Sequence, residues 1–432
     1  MKNSGVEWIG EIPDDWEVLR NKNAFTCKKD IVGEKSNDTQ LLSLTTAGIK
    51  CKDINNAEGK LPETFDTYQS VRKNDVVMCL FDLDMSAVFS GISAYDGMIS
   101  PAYKVLTCLD NTSPLFIHYW FSYIFDGRKF NHYAKNIRYT LNYDEFASLP
   151  ILLPPKDVQE KIATYLDSKC SKIEETIQNQ QQVIEKLKVY KQSLITETVT
   201  GKIKIQNGKV CGKYEEYKDS GVEWIGEIPS GWECKRLKFI VNSFKKGNGI
   251  TKDEVFVDGD TPCVRYGELY TKYNYSFTEC FSKTRKDLLQ TLQYFSYGDI
   301  LFTCTGELIE EIGKNTVYLG NEKCLAGGDL IIASHFQNPS FLSYALNSNY
   351  AQTQKSMGKA KLKVVHISAR EIGNILTILP SIEEQEEIAN FLDKQCIAIE
   401  SVITQKQKII KKLTEYKKSL IYECVTGKKE VN

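Results

Sequence analysis

Two stretches of the chain repeat at alternating steps of four and three residues over many turns. In the first, the steps fall at Leu166, Cys170, Ile173, Ile177, Gln180, Ile184, Leu187, Lys191, Leu194 and Thr198. In the second they fall at Leu392, Cys396, Ile399, Ile403, Lys406, Ile410, Leu413, Lys417, Leu420 and Cys424. Mostly apolar residues at that spacing keep one stripe of a helix facing a partner helix, and a polar residue stands near the middle of each stripe, Gln180 and Lys406. Each helix is expected to start at a capping box, Asp157-x-x-Glu160 or Ser381-x-x-Glu384, directly after Pro155 or Pro380, and to close at Gly201 or Gly427. Two such seams in one chain pair most economically with each other, as antiparallel helices; the alternative is that each packs separately on its own globule. Elsewhere the pattern changes. Short apolar runs at 76–81 and 300–304 follow turn signals at 73–75 and 297–299 and read as strands, and 114–125 and 339–347 read as short amphipathic helices.

These elements belong to a duplication. Residues 2–20 match 218–236 at 14 of 19 positions, an offset of 218 − 2 = 216. Residues 153–202 match 379–428 at 26 of 50 positions, an offset of 379 − 153 = 226. Each half is therefore a short head, a long middle and a helical tail. The middles, 21–152 and 237–378, differ in length by ten and share little visible sequence. The division expected is a head and globule over 1–155, a helix and linker over 156–217, a second head and globule over 218–381, and a distal helix over 382–432.

Composition narrows the function classes. At 432 residues and 42% hydrophobic content the chain has ample material for packed cores. Lys plus Arg is 55 against 56 acids, so any contact with nucleic acid must come from local patches. The thirteen cysteines come no closer than Cys263 and Cys280, seventeen apart, which removes the sequence basis for zinc knuckles and clustered disulfides. With no apolar leader and no stretch of eighteen apolar residues, a cytoplasmic chain without membrane contact is expected.

Catalytic signatures are missing. Gly306 to Asn315 has the wrong spacing for a phosphate-cradling loop, and Gly247-Asn248-Gly249 lacks a third glycine. The four histidines, His118, His132, His335 and His366, form no metal-ligand pair, and a structural role is the simpler expectation for each. Neither a catalytic residue nor a metal site is expected, which points to binding. The positive signal is local charge. Between Asp126 and Asp144 there is no acid, while Arg128, Lys129, Lys135, Asn136, Arg138 and Tyr139 occur with His132, Tyr133 and Asn142. Between Asp329 and Glu371 there is again none, while Lys355, Lys359, Lys361, Lys363 and Arg370 occur with His366. At the tail offset, Lys129 falls on Lys355 and Lys135 on Lys361, so a basic window recurs before each helical tail. Such residues supply phosphate contacts and can read base edges. A weaker group comprises Lys245, Lys246 and Arg265, with Tyr266 and Lys272.

The run from Tyr217 to Pro229 and its N-terminal copy resemble the heads of the specificity (S) subunits of type I restriction–modification enzymes. So do Leu379-Pro380 leading to Glu384-Gln385-x-x-Ile388-Ala389, and Tyr416-Lys417-x-Ser419-Leu420-Ile421-x-Glu423-x-Val425-Thr426-Gly427-Lys428. Asp96-Gly97-Met98-Ile99-Ser100-Pro101-Ala102-Tyr103 and Gly298-Asp299-Ile300-Leu301 are similar to stretches of that family's recognition domains. One departure is Val158, where the downstream copy has Glu384. The resemblance implies an α/β (α+β) protein. Two globular target-recognition domains would be separated by an antiparallel pair of long coiled-coil helices with pseudo-two-fold symmetry, the seam carried by Ile173, Ile177, Ile184, Leu187, Ile399, Ile403, Ile410 and Leu413. It implies a non-catalytic subunit that reads a bipartite, asymmetric site in double-stranded DNA and docks two modification (methyltransferase) and two restriction subunits. S-adenosylmethionine, ATP and Mg would then belong to those partners and not to this chain. The rival expectation is a protein-binding scaffold without DNA specificity. If the helices act as a spacer, 44 residues give an upper limit of about 66 Å.

Overall fold

A computed structural model describes residues 1–432 except 28, 54–61, 135–138, 224, 290, 307, 309–310, 360–364 and 432. The chain forms two compact units, residues 1–181 with 407–432, and residues 182–406. Its α-helices are α1 Pro114–Asp126, α2 Tyr143–Ser148, α3 Lys156–Val199, α4 Tyr266–Thr271, α5 Pro339–Leu346, α6 Asn349–Ser356, α7 Ala369–Gly373 and α8 Ile382–Val425.

In the first unit the head and the end of the middle are clasped together. Strand Glu17–Arg20 runs antiparallel to Pro150–Leu153, with Leu19 opposite Ile151. Between these ends lies a four-stranded sheet in the order Phe25–Cys27, Lys104–Cys108, Val76–Met78, Ser90–Ile92. Val76, Val77 and Met78 are fully buried because both faces of the sheet are covered. On one side α1 packs Phe116, Trp120 and Phe121 against Phe25, Phe89 and Phe146. Ser113 caps α1, accepting a hydrogen bond from Phe116 N, with Pro114 in the first turn.

The second unit repeats this frame under different sequence. Glu233–Arg236 pairs with Leu376–Leu379, as its counterpart does in the first unit. Ile300–Thr303 lies at the centre of a five-stranded sheet, next to Leu330–His335, and a second sheet of four strands is built on Thr261–Val264 and Cys324–Ala326. The equivalence reaches single side chains. Asp75 accepts from Arg72 N (2.8 Å) and Thr107 Oγ1 (2.8 Å); Asp299 accepts from Ser296 N (2.8 Å) and Ser334 Oγ (2.6 Å). Each aspartate closes the turn before the central strand and ties it to the neighbouring one. The two middles thus share a scaffold that their sequences barely display.

Helix ends follow the duplication with one exception. Ser381 and Glu384 form the expected reciprocal box at the start of α8. Asp157 does not: α3 already begins at Lys156, which places Asp157 inside the first turn, where its charge meets the positive helix end without capping it. The buried side chains that do repeat here are Gln159 and Gln385. Gln159 Oε1 accepts from Ser113 N (2.9 Å) and Gln385 Oε1 from Asn338 N (3.0 Å), which fastens each long helix to the cap of α1 or α5. Gly201 and Gly427 both close their helices at φ +71°, and the residue after each donates back, Lys202 N to Glu197 O and Lys428 N to Glu423 O (2.8 Å each).

All twenty seam steps, Ile173, Ile177, Ile184, Leu187, Ile399, Ile403, Ile410 and Leu413 among them, are buried or half-buried. In the first unit Leu166, Cys170 and Ile173 of α3 share a core with Leu420, Ile421 and Cys424 of α8, so the start of one helix meets the end of the other. Lys417 reaches Glu174 there, and Lys191 reaches Glu400 in the second unit. The two pairs are the same contact at 417 − 191 = 226 and 400 − 174 = 226.

Candidate nucleic-acid interface

In the first unit the basic window sits on a knot of irregular backbone. Arg128 adopts the left-handed region (φ +48°), stands 4.4 Å over the Phe125 ring and donates through Nη1 to Leu83 O. Leu83 N in turn donates to Tyr139 O (3.2 Å), and Leu141 N to Leu80 O (2.8 Å). Asp82 and Tyr139 are also left-handed, at φ +49° and +47°. Bonds through Leu83, and from Asp82 N to Thr140 Oγ1 (3.4 Å), tie these three left-handed positions together and fix where the window's surface residues stand. Lys129 lies 5.6 Å from the Tyr123 ring, half-buried. His132, Tyr133 and Tyr139 are exposed, and Tyr133 accepts from Trp8 Nε1 (3.2 Å). Asn142 is the cap of α2, its side chain accepting from Glu145 N (2.9 Å). Lys135, Asn136 and Arg138 lie outside the described residues.

The second unit places its cations differently. Lys245 and Lys246 end the edge strand Val241–Lys246, and His366 ends the short strand Val365–His366, which pairs with Thr305–Gly306. The three are exposed and line one cleft of about 470 Å³ with Phe244, Cys304, Asp329, Ile331, Ile367, Ser368, Ala369 and Glu371. Burial raises the Cys304 thiol; Asp329 adds to that and Lys246 opposes it. Lys246 therefore brings positive charge to the cleft. Backbone contact is tight beside it: a methyl group on Gly247 would run into Gly327 O, and Gly327 N donates to Val264 O (2.7 Å) next to Arg265. Arg265 itself is partly exposed and turned onto Glu268, which is buried and also accepts from Ser282 Oγ.

Two lysines of the downstream window are not where the charge pattern put them. Lys355 is a core residue, 1% exposed, donating to three oxygens inside the unit, and is corrected from a surface phosphate contact to a buried structural cation. At the offset that set it opposite Lys129 both lysines follow equivalent helices, but Lys129 opens a short 3-10 helix and is half-buried while Lys355 lies inside α6 and is buried. Lys359 is engaged with Glu371 (2.9 Å) and His366 O (2.6 Å), leaving its side chain 13% exposed. Against burial, which raises it, hydrogen bonds from Ser368 and Lys359 hold the Glu371 carboxyl at about 2. The acid at the border of the window thus folds back onto it, which counting acids between two positions cannot detect. Lys361 and Lys363 lie outside the described residues. Of the histidines, His118 and His335 are largely buried, and burial lowers both.

Sequence reasoning missed a second stripe on the helices. Val183 and Tyr190 of α3 and Ile409 and Tyr416 of α8 are exposed. They stand seven apart on each helix and repeat at 409 − 183 = 226 and 416 − 190 = 226. The signal was present as an apolar step of seven, outside the four-three seam.

The fold and site define a duplicated module on paired helix ends, with a constant frame and differing surface cations. A family model described as the type I restriction modification DNA specificity domain matches residues 229–414. The chain is 26% identical over 293 residues to the type I restriction enzyme MjaVIII specificity subunit of Methanocaldococcus jannaschii. That match covers 66% of this chain and 63% of the relative, so it spans less than two thirds of that protein. It is 23% identical over 448 residues to the putative type I restriction enzyme MjaX specificity subunit of the same organism, covering 97% and 95%. A solved chain described under complex assembly and conformational transition of the type I R-M system shares the fold at a TM-score of 0.67, with 13% identity over 96% of this chain and 98% of that one. These are the proteins the chain is similar to, and the family model and both relatives share the description of type I restriction–modification specificity subunits or domains.

Proposed function

We propose that the chain is the non-catalytic subunit that reads a bipartite, asymmetric site in double-stranded DNA, one half per unit. The observation that carries this reading is the pairing of one scaffold with two unlike surfaces. Both units close their middles on the same strand clasp, yet the first presents Arg128, Lys129, His132 and Tyr139, and the second Lys245, Lys246 and His366. Identical surfaces would read a palindrome, and unlike ones read unlike half-sites. The division into 1–155, 156–217, 218–381 and 382–432 belongs to this proposal, as does a place in the cytoplasm with the host's DNA. Among the described residues no helix is long and apolar enough to cross a membrane, and no group of side chains could hold a metal ion.

Phosphate capture releases counterions, so affinity must fall steeply with salt. Lys245→Ala with Lys246→Ala is expected to weaken binding to every duplex and to lower the salt slope by about 2, roughly one per lost contact. Affinity of the full chain for duplexes between low and moderate salt measures it. A chain that binds no duplex, or whose binding ignores salt, is a scaffold and not a reader.

The exposed stripes fit the partners. One apolar pair per unit, Val183 with Tyr190 and Ile409 with Tyr416, suits helices of a modification subunit, and two equivalent patches suit two copies. Tyr190→Asp should lose one copy and Tyr416→Asp the other, read as assembly mass. Loss of both copies from either single change would refute independent docking.

A further inference from the structure

A buried, unpaired cation is costly: its desolvation amounts to several kcal/mol unless hydrogen bonds and charge offset it. Lys355 is such a group. Its ammonium gives its three protons to Gly313 O (2.8 Å), Asn315 Oδ1 (2.9 Å) and Leu346 O (2.7 Å), and among the described residues no carboxylate pairs with it. A methionine would fill the same space without the charge. What the charge secures is geometry. Leu346 is the last residue of α5, where free carbonyls carry the negative end of the helix. Asn315 opens the strand Asn315–Tyr318 and is itself fully buried, its amide donating to Ser343 O (3.2 Å).

Gly313 connects this clamp to the cleft. It sits at φ +61°, and a methyl group there would stand 3.3 Å from Lys355 Cδ and 3.4 Å from Ile367 Cδ1. Ile367 N donates to Cys304 O (2.8 Å), and Ile367 lines the cleft between His366 and Ser368. From Nζ outward the neighbours are Lys355, Gly313, then Ile367 across a space about one methyl group wide, and then the strand Val365–His366, whose His366 lines the same cleft as Lys245 and Lys246. We infer that Lys355 is a positioning residue for the half-site read by residues 182–406: its three-oxygen clamp fixes the floor of the cleft on which the cations are displayed. This rests on the reading of that cleft as a DNA surface.

The test captures a pool of randomised duplexes on the full chain and sequences what is retained. A second chain with 21–152 exchanged identifies which half of the enriched motif belongs to 182–406. Wild-type protein should enrich a motif sharp in both halves. Lys355→Met, checked for intact fold by circular dichroism well below its melting point, should keep the other half sharp and lose roughly ten-fold in discrimination in its own half, the loss expected when one base contact is misplaced. Hydrogen exchange at Ile367 N should quicken in parallel. Both halves staying sharp would overturn the inference, and both blurring equally would reduce Lys355 to a packing residue. If Lys355→Met does not fold, Ile367→Ala carries the test, because it removes the side chain that stands between Gly313 and the cleft but keeps the ammonium; one-sided blurring supports the inference and none overturns it. A wild-type chain that enriches no motif would refute the DNA reading itself, a result distinct from a sharp wild type with a sharp variant.

Discussion

At Gly201 and Gly427 the absence of a side chain decides two packing arrangements. A methyl group at Gly427 would collide with Pro13 and approach Trp16, and one at Gly201 would collide with Pro229 and approach Trp232, both at a left-handed φ. Alanine at either position should cost about 2 kcal/mol or more, from the backbone and the clash together. Urea unfolding of each variant checks it, and a loss under 0.5 kcal/mol would mean the prolines simply move. Lys355 gives a second test at this scale. Burial lowers its pKa to about 7 in the folded chain, against an ordinary 10.5. The unfolded chain therefore holds a proton that the folded one releases between those values, so stability rises with pH from about 7 to 10.5 and is flat below for this group. Lys355→Met should remove that slope in denaturant titrations repeated across the range. The sequence could not reveal this residue's role, because a lysine in an acid-free run looks the same whether its ammonium meets water or three carbonyls.

The long helices were the most legible elements, since a seam repeated over ten steps leaves little freedom in which face is buried. Their starts were less legible. Asp157 and Ser381 look alike as caps, and only Ser381 acts as one, because α3 gains its first residue from Lys156. The basic windows were legible as composition and only partly as surface: Lys245, Lys246 and His366 line one cleft because 241–246 pairs with 331–335 and 365–366 with 305–306, which no local pattern encodes. Within the helix pair, magnitudes separate the contacts. Ile403→Asp would place an unpaired carboxylate in a buried step and should cost several kcal/mol. Lys417→Ala removes an ion pair whose carboxylate is largely exposed and should cost at most about 1 kcal/mol. Thermal melts of the two variants should rank in that order, and the reverse would mean that the seam is not the stabilising face.

Across the whole molecule the duplication was plain at its constant ends and faint in its middles, where a turn, a strand and a short helix recur but the shared work of Asp75 and Asp299, done with different neighbours, does not show. Function follows that division. Exchanging 21–152 for the corresponding middle of a similar specificity subunit should rewrite one half of the recognised site and leave the other intact, as methylome sequencing of a host carrying the exchange would record. Rewriting of both halves would end the modular account. The first unit also has an unusual birth order. Its core draws Leu420, Ile421, Cys424 and Val425 from the far end of the chain, and Lys428 Nζ donates to Ile9 O (2.8 Å). A ribosome therefore makes 407–432 only after 182–406. The unit formed by 182–406 has all its parts while the unit begun earlier still waits for 407–432, so it can fold first, and a chain stopped at 406 would expose the apolar bed that receives the end of α8.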